Sequence, residues 1–216
     1  MAELADASDS KSLELTLLWV RFPPPLPFFV VKRSLLLLLL TLSPAASCLA
    51  SGCETSPAEL EKILALDYKT FDLTDDKGAR EYTAKACYLQ AAQLTDLWQL
   101  RHQGSLEFWQ TTNLYFHAGQ RYAEAGRDHY GVAVERLRTS LVPVEAEDSP
   151  VTWNAYVQAT IGFLKDDLEE LQTRRRVMLT KKTRDNQWNI DAADAMIKCF
   201  GRPYLEAYSG PACRGN

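Results

Sequence analysis

His102, His117 and His129 are the residues of this chain best suited to acid, base or metal chemistry. A metal site needs convergent donors at tight helical spacing, and no two of these histidines lie three or four residues apart. His117 and Glu124 stand seven apart, two turns of one helix, which reads His117 as a polar residue between packed helices. Paired carboxylates at Asp75 with Asp76, and at Asp166 with Asp167, could run acid and base chemistry. Both pairs fall in predicted turns, where exposed acids are ordinary. No glycine-rich phosphate loop and no Gly-x-Ser-x-Gly nucleophile elbow occurs. The expectation is a protein that is not an enzyme, with no catalytic residue, no cofactor and no metal.

Thiol chemistry is the stronger signal. Of five cysteines, Cys53, Cys87, Cys199 and Cys213 lie beyond residue 50, and an even count in an exported chain reads as two disulfides. Cys199 with Cys213 would close a loop of about 15 residues, worth roughly 3 kcal/mol by the chain-entropy argument. Cys53 with Cys87 would tie the N-terminal arm to the body. Two alternatives stand beside this pairing. Cys87 could be a buried free thiol, and Cys53 could carry a lipid, since Ala50, Ser51, Gly52 and Cys53 resemble a bacterial lipobox with Ala50 in the usual leucine position.

Export is read from the segment before those cysteines. Lys32 and Arg33 precede a leucine run over residues 35–42, and Ser43, Pro44, Ala45, Ala46 and Ser47 follow it. A membrane helix needs about 20 apolar residues, whereas a signal peptide has a core of roughly 7 to 15 behind a basic start. Residues 31–50 therefore read as a signal peptide, cut after Ala50, with a retained anchor as the alternative. The opening MAELADASDSKS resembles the spurious protein obtained when a bacterial transfer-RNA gene is read as coding. Residues 1–30 are accordingly expected to be a disordered upstream extension, with Val30 or Val31 as the true start. The mature chain is expected in the periplasm or outside the cell, touching a membrane only through a lipid on Cys53 or a retained signal.

Residues 1–50 hold four basic and four acidic side chains, so residues 51–216 keep the whole formal charge of −4. Mild acidity argues against nucleic acid, whose binders need a basic footprint. About 165 residues suffice for one domain with its own core.

Within residues 51–216, apolar spacings of three and four recur and strand-like alternation does not, which predicts an all-α domain. Ser56, Pro57, Ala58 and Glu59 form a capping box that starts a helix over residues 57–68. FDLTDDKG reads as a polar turn. A helix over residues 80–101 places Ala84, Cys87, Ala91, Leu94 and Trp98 on one face. Further helices are read over residues 106–125, 128–140, 152–164, 168–180 and 190–200, with VPVEAEDSP and KKTRDNQWN as polar loops. About seven helices joined mostly by short turns make antiparallel hairpins.

Residues 115–140 resemble a tetratricopeptide motif, with Gly119 and Tyr122 as its paired positions, Gly126 as the turn glycine, and Tyr130, Ala133 and Leu137 on the second helix. A weaker copy runs over residues 153–179. The blocks YFHAGQRYAEAGR, WNAYVQATIGFLKDD and CFGRPYLEAYSGPAC are similar to a group of exported bacterial proteins with repeat-like helical domains. That resemblance implies export and a short array of stacked, tetratricopeptide-like hairpins. It supplies no catalytic residues.

Such arrays hold a partner in a groove. Trp109, Tyr115, Phe116, Tyr122, Trp153 and Tyr156, with Trp98 and Phe108 beside them, are the candidate groove for a protein or peptide; the competing reading makes them hairpin core. Arg174, Arg175, Arg176, Lys181 and Lys182, followed by Arg184, could grip an anionic partner. Asp166, Asp167, Glu169 and Glu170 crowd the start of the same helix, and acids first with bases last is what the helix dipole favours. The chain is thus expected to be a binding scaffold. A pocket enzyme or ligand-binding protein, in which His117 or a carboxylate meets a second polar group, and a lipoprotein held by Cys53 are the rivals.

Overall fold

A computed structural model describes residues 52–215, so the expectations for residues 1–30 and 31–50 lie outside the described part. Among the described residues there is no strand, and the fold is all-α. Helix α1, Pro57–Leu64, starts where the sequence places it: the Ser56 hydroxyl accepts the Glu59 N–H at 3.2 Å. It stops at Leu64, short of the expected Tyr68, and Asp67 then caps a separate π-turn, Lys69–Leu73, through the Thr70 N–H and hydroxyl.

That π-turn is the first correction. FDLTDDKG is not simply a polar turn, because Phe71 and Asp72 are both fully buried. Phe71 stacks on Trp98 with ring centroids 4.7 Å apart, and Asp72 finds charged partners described below.

The single helix expected over residues 80–101 is two, α2 (Gly78–Ala84) and α3 (Tyr88–His102). Between them Ala86 sits at φ +58°, the Ala86 N–H reaches the Thr83 carbonyl at 3.0 Å, and the Cys87 N–H reaches that of Tyr82 at 2.8 Å. This is a Schellman ending with alanine where glycine is usual, so no local residue announces it. It also turns Ala84 out to solvent, while Cys87, Ala91, Leu94 and Trp98 keep their inward places.

Helix α4 (Phe108–Glu124) is central, with no exposed residue from Thr111 to Glu124. It gives Leu114 to one apolar cluster, with Phe71, Leu94 and Trp98, and gives Phe116, Tyr122 and Ala123 to the other. After one 3₁₀ turn, Arg127–His129, helix α5 (Tyr130–Thr139) packs back along it. The approach is close at Gly119, where a β-carbon would lie 2.7 Å from Leu137 Cγ and 3.1 Å from the Ala133 carbonyl oxygen. Gly119→Ala should therefore cost about 1–3 kcal/mol through overpacking, read as a lowered urea midpoint; an unchanged midpoint would mean the two helices stand further apart.

Helices α6 (Trp153–Leu164) and α7 (Leu168–Met178) form the next hairpin, with Asp166 in the left-handed position of a second Schellman turn. Helix α8 (Arg184–Lys198) begins six residues before the expected Ile190. Its cause is Asn186, which is fully buried. The Asn186 carbonyl accepts from the Thr152 N–H and hydroxyl, and its amide donates to the carbonyls of Met178 and Lys181. Two thirds of the expected loop KKTRDNQWN, from Arg184 on, is thus the first turns of a helix. Helices α9 (Tyr204–Ser209) and α10 (Pro211–Arg214) close the fold.

Candidate functional site

Both expected disulfides are present, Cys53 with Cys87 and Cys199 with Cys213. Cys87 is therefore not a free thiol, and the sulfur that a lipid would need on Cys53 is already bonded. Two disulfides belong to an oxidising compartment, and so to an exported chain. Among the described residues, no helix is long and apolar enough to cross a membrane.

Most of the candidate groove residues are core instead. Phe116, Tyr122 and Tyr156 are buried, Phe116 packing against Trp153 at 4.9 Å and Tyr156 at 5.3 Å. Trp153, partly buried, donates its indole N–H to the Ser140 carbonyl at 2.8 Å. These four line no groove because α4, α5 and α6 close over them. Trp109 is half exposed, set edge-on to Tyr68, with its indole N–H on the Glu107 carboxylate. Tyr115 alone lines an open groove of about 330 Å³ with Leu97, Leu100 and Leu106, beside the Arg136–Asp96 pair.

The basic residues are mostly engaged. Arg174 pairs with Glu170 at 2.8 Å and Arg175 with Asp194 at 2.7 Å, while Arg176 donates to the Thr173 hydroxyl at 2.8 Å. Lys181 donates to the Ser149 and Glu147 carbonyls at 2.6 and 3.0 Å, tying α7 to the acidic loop. Lys182 and Arg184 stand exposed.

A different set of polar residues converges on α4, where His117, Gln120, Arg121 and Glu124 share one face at helical spacing. Asp72, on the π-turn, lies against it. One carboxylate oxygen is 2.7 Å from His117 Nδ1, and the other accepts from Arg121 at 3.0 Å. Arg121, only 6% exposed, also donates to the buried Thr95 hydroxyl at 2.5 Å. Arg80 Nε donates to the Asp72 carbonyl at 2.5 Å, which pins α2 to the same turn. Gly78 lets the turn close: at φ +49°, its position for a β-carbon is 2.3 Å from the Phe71 carbonyl oxygen, so only glycine fits.

Burial alone would raise the Asp72 pKa, but the His117 charge and hydrogen bond, with Arg121, overcome it and hold the carboxyl at about 2. An ionised carboxylate only accepts. His117 therefore donates from Nδ1 toward Asp72 in either charge state and leaves Nε2 to the cleft, as an acceptor in the neutral ring and as an N–H donor in the charged one. His117 lines a cleft of about 350 Å³ with Arg80, Gln120, Arg121 and Glu124, walled by Trp188 and Tyr208. The other histidines are elsewhere. His102 stacks on Trp98 and bonds the Leu64 carbonyl, and His129 lies near Tyr122. Among the described residues, no three His, Cys, Asp or Glu side chains converge as metal ligands.

Glu124 is the cleft's second titratable group. Desolvation pushes it up to about 7, with Arg121 pulling the other way. Arg80, His117, Tyr88 and Tyr204 are the other charged or titratable groups around it. Because its folded value lies above the ordinary 4.5, the folded state keeps a proton that the unfolded chain releases. Stability from this group is full below about 4.5 and falls as pH rises through about 7. Glu124→Gln should flatten that part of the melting temperature against pH, leaving the variant the more stable on the alkaline side. An identical profile would place Glu124 in water.

Asp72 was missed because its neighbours in DLTDDKG spell an exposed turn. The available signal lay on α4, where His117 and Arg121 stand four apart on one face of a helix with an apolar opposite side. Compared with known protein families, curated proteins and solved structures, the chain matches none.

Proposed function

We propose that this chain is an exported binding protein that holds a small polar ligand in the α4 cleft. It is made with residues 31–50 as its signal and works in the periplasm or outside the cell. The supporting observation is the buried Asp72 that fixes His117 and Arg121 at the cleft while leaving His117 Nε2 unpaired. Buried ion pairs are costly to desolvate and are weak contributors to stability, so one that aims an unpaired imidazole nitrogen into a recess serves a ligand better than it serves the core. Binding is favoured over turnover because the cleft's one hydroxyl on α2, Thr83, is bonded to the Ala79 carbonyl at 3.1 Å. No cofactor is required. An NMR screen of the oxidised chain with a library of small polar fragments tests this. Saturable shifts centred on His117, Gln120 and Trp188 are expected; hits that cluster elsewhere, or none, would overturn it.

A second reading is favoured by the groove at Leu97, Leu100, Leu106 and Tyr115, where Leu97 and Leu100 are exposed. There a protein or peptide partner would seat an apolar segment, with hairpins α4–α5 and α6–α7 as degenerate tetratricopeptide-like units of the scaffold. Photo-crosslinking from position 100 should then capture a discrete partner that position 144, more exposed still, does not. Equal capture at both positions would remove the groove from consideration.

A further inference from the structure

The chemistry of the cleft narrows the ligand. The buried guanidinium is committed, Arg121 to Asp72 and Thr95, while Arg80, partly exposed, gives its Nε to the Asp72 carbonyl and reaches Asp75 at 3.5 Å. A carboxylate or phosphate ligand is held best by a guanidinium with its fork free, and the buried one, Arg121, has given its fork to Asp72 and Thr95. A free ammonium ligand would meet those same guanidiniums. What remains unpaired is a mixed set of hydrogen-bonding groups. Gln120 spends one amide hydrogen on the Tyr204 hydroxyl at 3.2 Å and keeps its carbonyl oxygen. His117 keeps Nε2, and the Glu124 carboxyl has no hydrogen-bond partner.

Opposite this polar floor stands Trp188, 62% exposed, with Tyr208 beside it. Arg214 lies against both rings, its guanidinium 4.8 Å from one centroid and 4.9 Å from the other. An open indole offers a flat apolar face. The same two rings wall a second hollow of about 750 Å³ along α8 and α10, so the two recesses meet at one aromatic saddle. A ligand that suits both sides has an apolar face and an edge of groups that donate and accept alike. Hydroxyl groups do both.

Resting on the binding reading above, we propose that the α4 cleft binds a neutral saccharide, its ring stacked on Trp188 and its hydroxyls bonded to His117 Nε2, Gln120 and Glu124. The shared wall of the two hollows makes an oligosaccharide of two or more rings a better fit than a monosaccharide.

The test is an NMR titration of the oxidised chain with maltohexaose, cellohexaose and chitohexaose, beside citrate and spermidine as charged probes. At least one sugar should give saturable shifts at the Trp188 indole and at Gln120. Trp188→Ala should weaken that binding about tenfold or more, near 1.4 kcal/mol, and Trp188→Phe should recover part of it. Trp188 is exposed, so circular dichroism should show both variants folded. Binding of no sugar, or undiminished binding by Trp188→Ala, overturns the saccharide. If citrate or spermidine fills the cleft instead, the saccharide falls and the binding reading stands; if no probe moves His117 or Trp188, both fall.

Discussion

Asp72→Ala lowers the stability of this domain by about 3–5 kcal/mol, because it strands a buried guanidinium without its counter-charge. Arg121 lies under the π-turn, 6% exposed, with Thr95 as its one other hydrogen-bond partner. For a domain of this size the loss corresponds to a fall in melting temperature of roughly 10 °C. The control is Arg121→Met in the Asp72→Ala background. With both charges gone only the partly exposed His117 Nδ1 loses its partner, so the double variant should regain a large part of the loss. A double variant as unstable as the sum of the two singles would mean that the groups do not interact. The acid limb follows the same pair. Asp72 is held at about 2 against an ordinary 3.8, so its contribution is complete above about 4 and disappears as pH falls through 2. Asp72→Asn should lose that part of the wild-type acid transition.

Reduction of the disulfides is the other large effect. Cys53–Cys87 spans 34 residues and Cys199–Cys213 spans 14. The chain-entropy argument gives about 4 and about 3 kcal/mol respectively. The two bonds staple different apolar clusters, the first beside Phe71 and Trp98 and the second beside Met196 and Tyr204, so their losses should add. Against the 5–15 kcal/mol typical of a folded domain, replacing all four cysteines by serine should leave the chain largely unfolded at room temperature. Each paired replacement alone should lower the urea midpoint and, by letting the unfolded chain expand, raise the slope. A fully reduced chain that melts at the temperature of the oxidised one would contradict this.

What the sequence made legible was whatever depended on local chemistry. Ser56 before Pro57 and Glu59 marks its cap from three residues alone, and Asp166 marks the α6–α7 turn because aspartate tolerates the left-handed position. Four cysteines in an exported chain leave few pairings. The departures are places where distant atoms decide. Ala86 breaks a helix without glycine or proline, Asn186 extends one by bonding residues 34 positions away, and Asp72 is buried by a helix 49 positions on. Aromatic spacing on α4 and α6 could not separate groove from core, since Phe116 and Tyr156 have the same periodicity in either case. The cleft was half visible: His117 and Glu124 stood on one helix, but Trp188 and Tyr208 come from α8 and α9, which only the tertiary fold brings across.

The site depends on Asp72 orienting His117 so that Nε2 is free to face a ligand. Nitrogen-15 NMR of the imidazole in the oxidised wild-type chain, at mildly alkaline pH, observes that arrangement directly. The geometry predicts a proton on Nδ1, slow to exchange and strongly hydrogen-bonded, with the lone pair on Nε2. A proton on Nε2, or a ring whose two tautomers interchange freely, would contradict it.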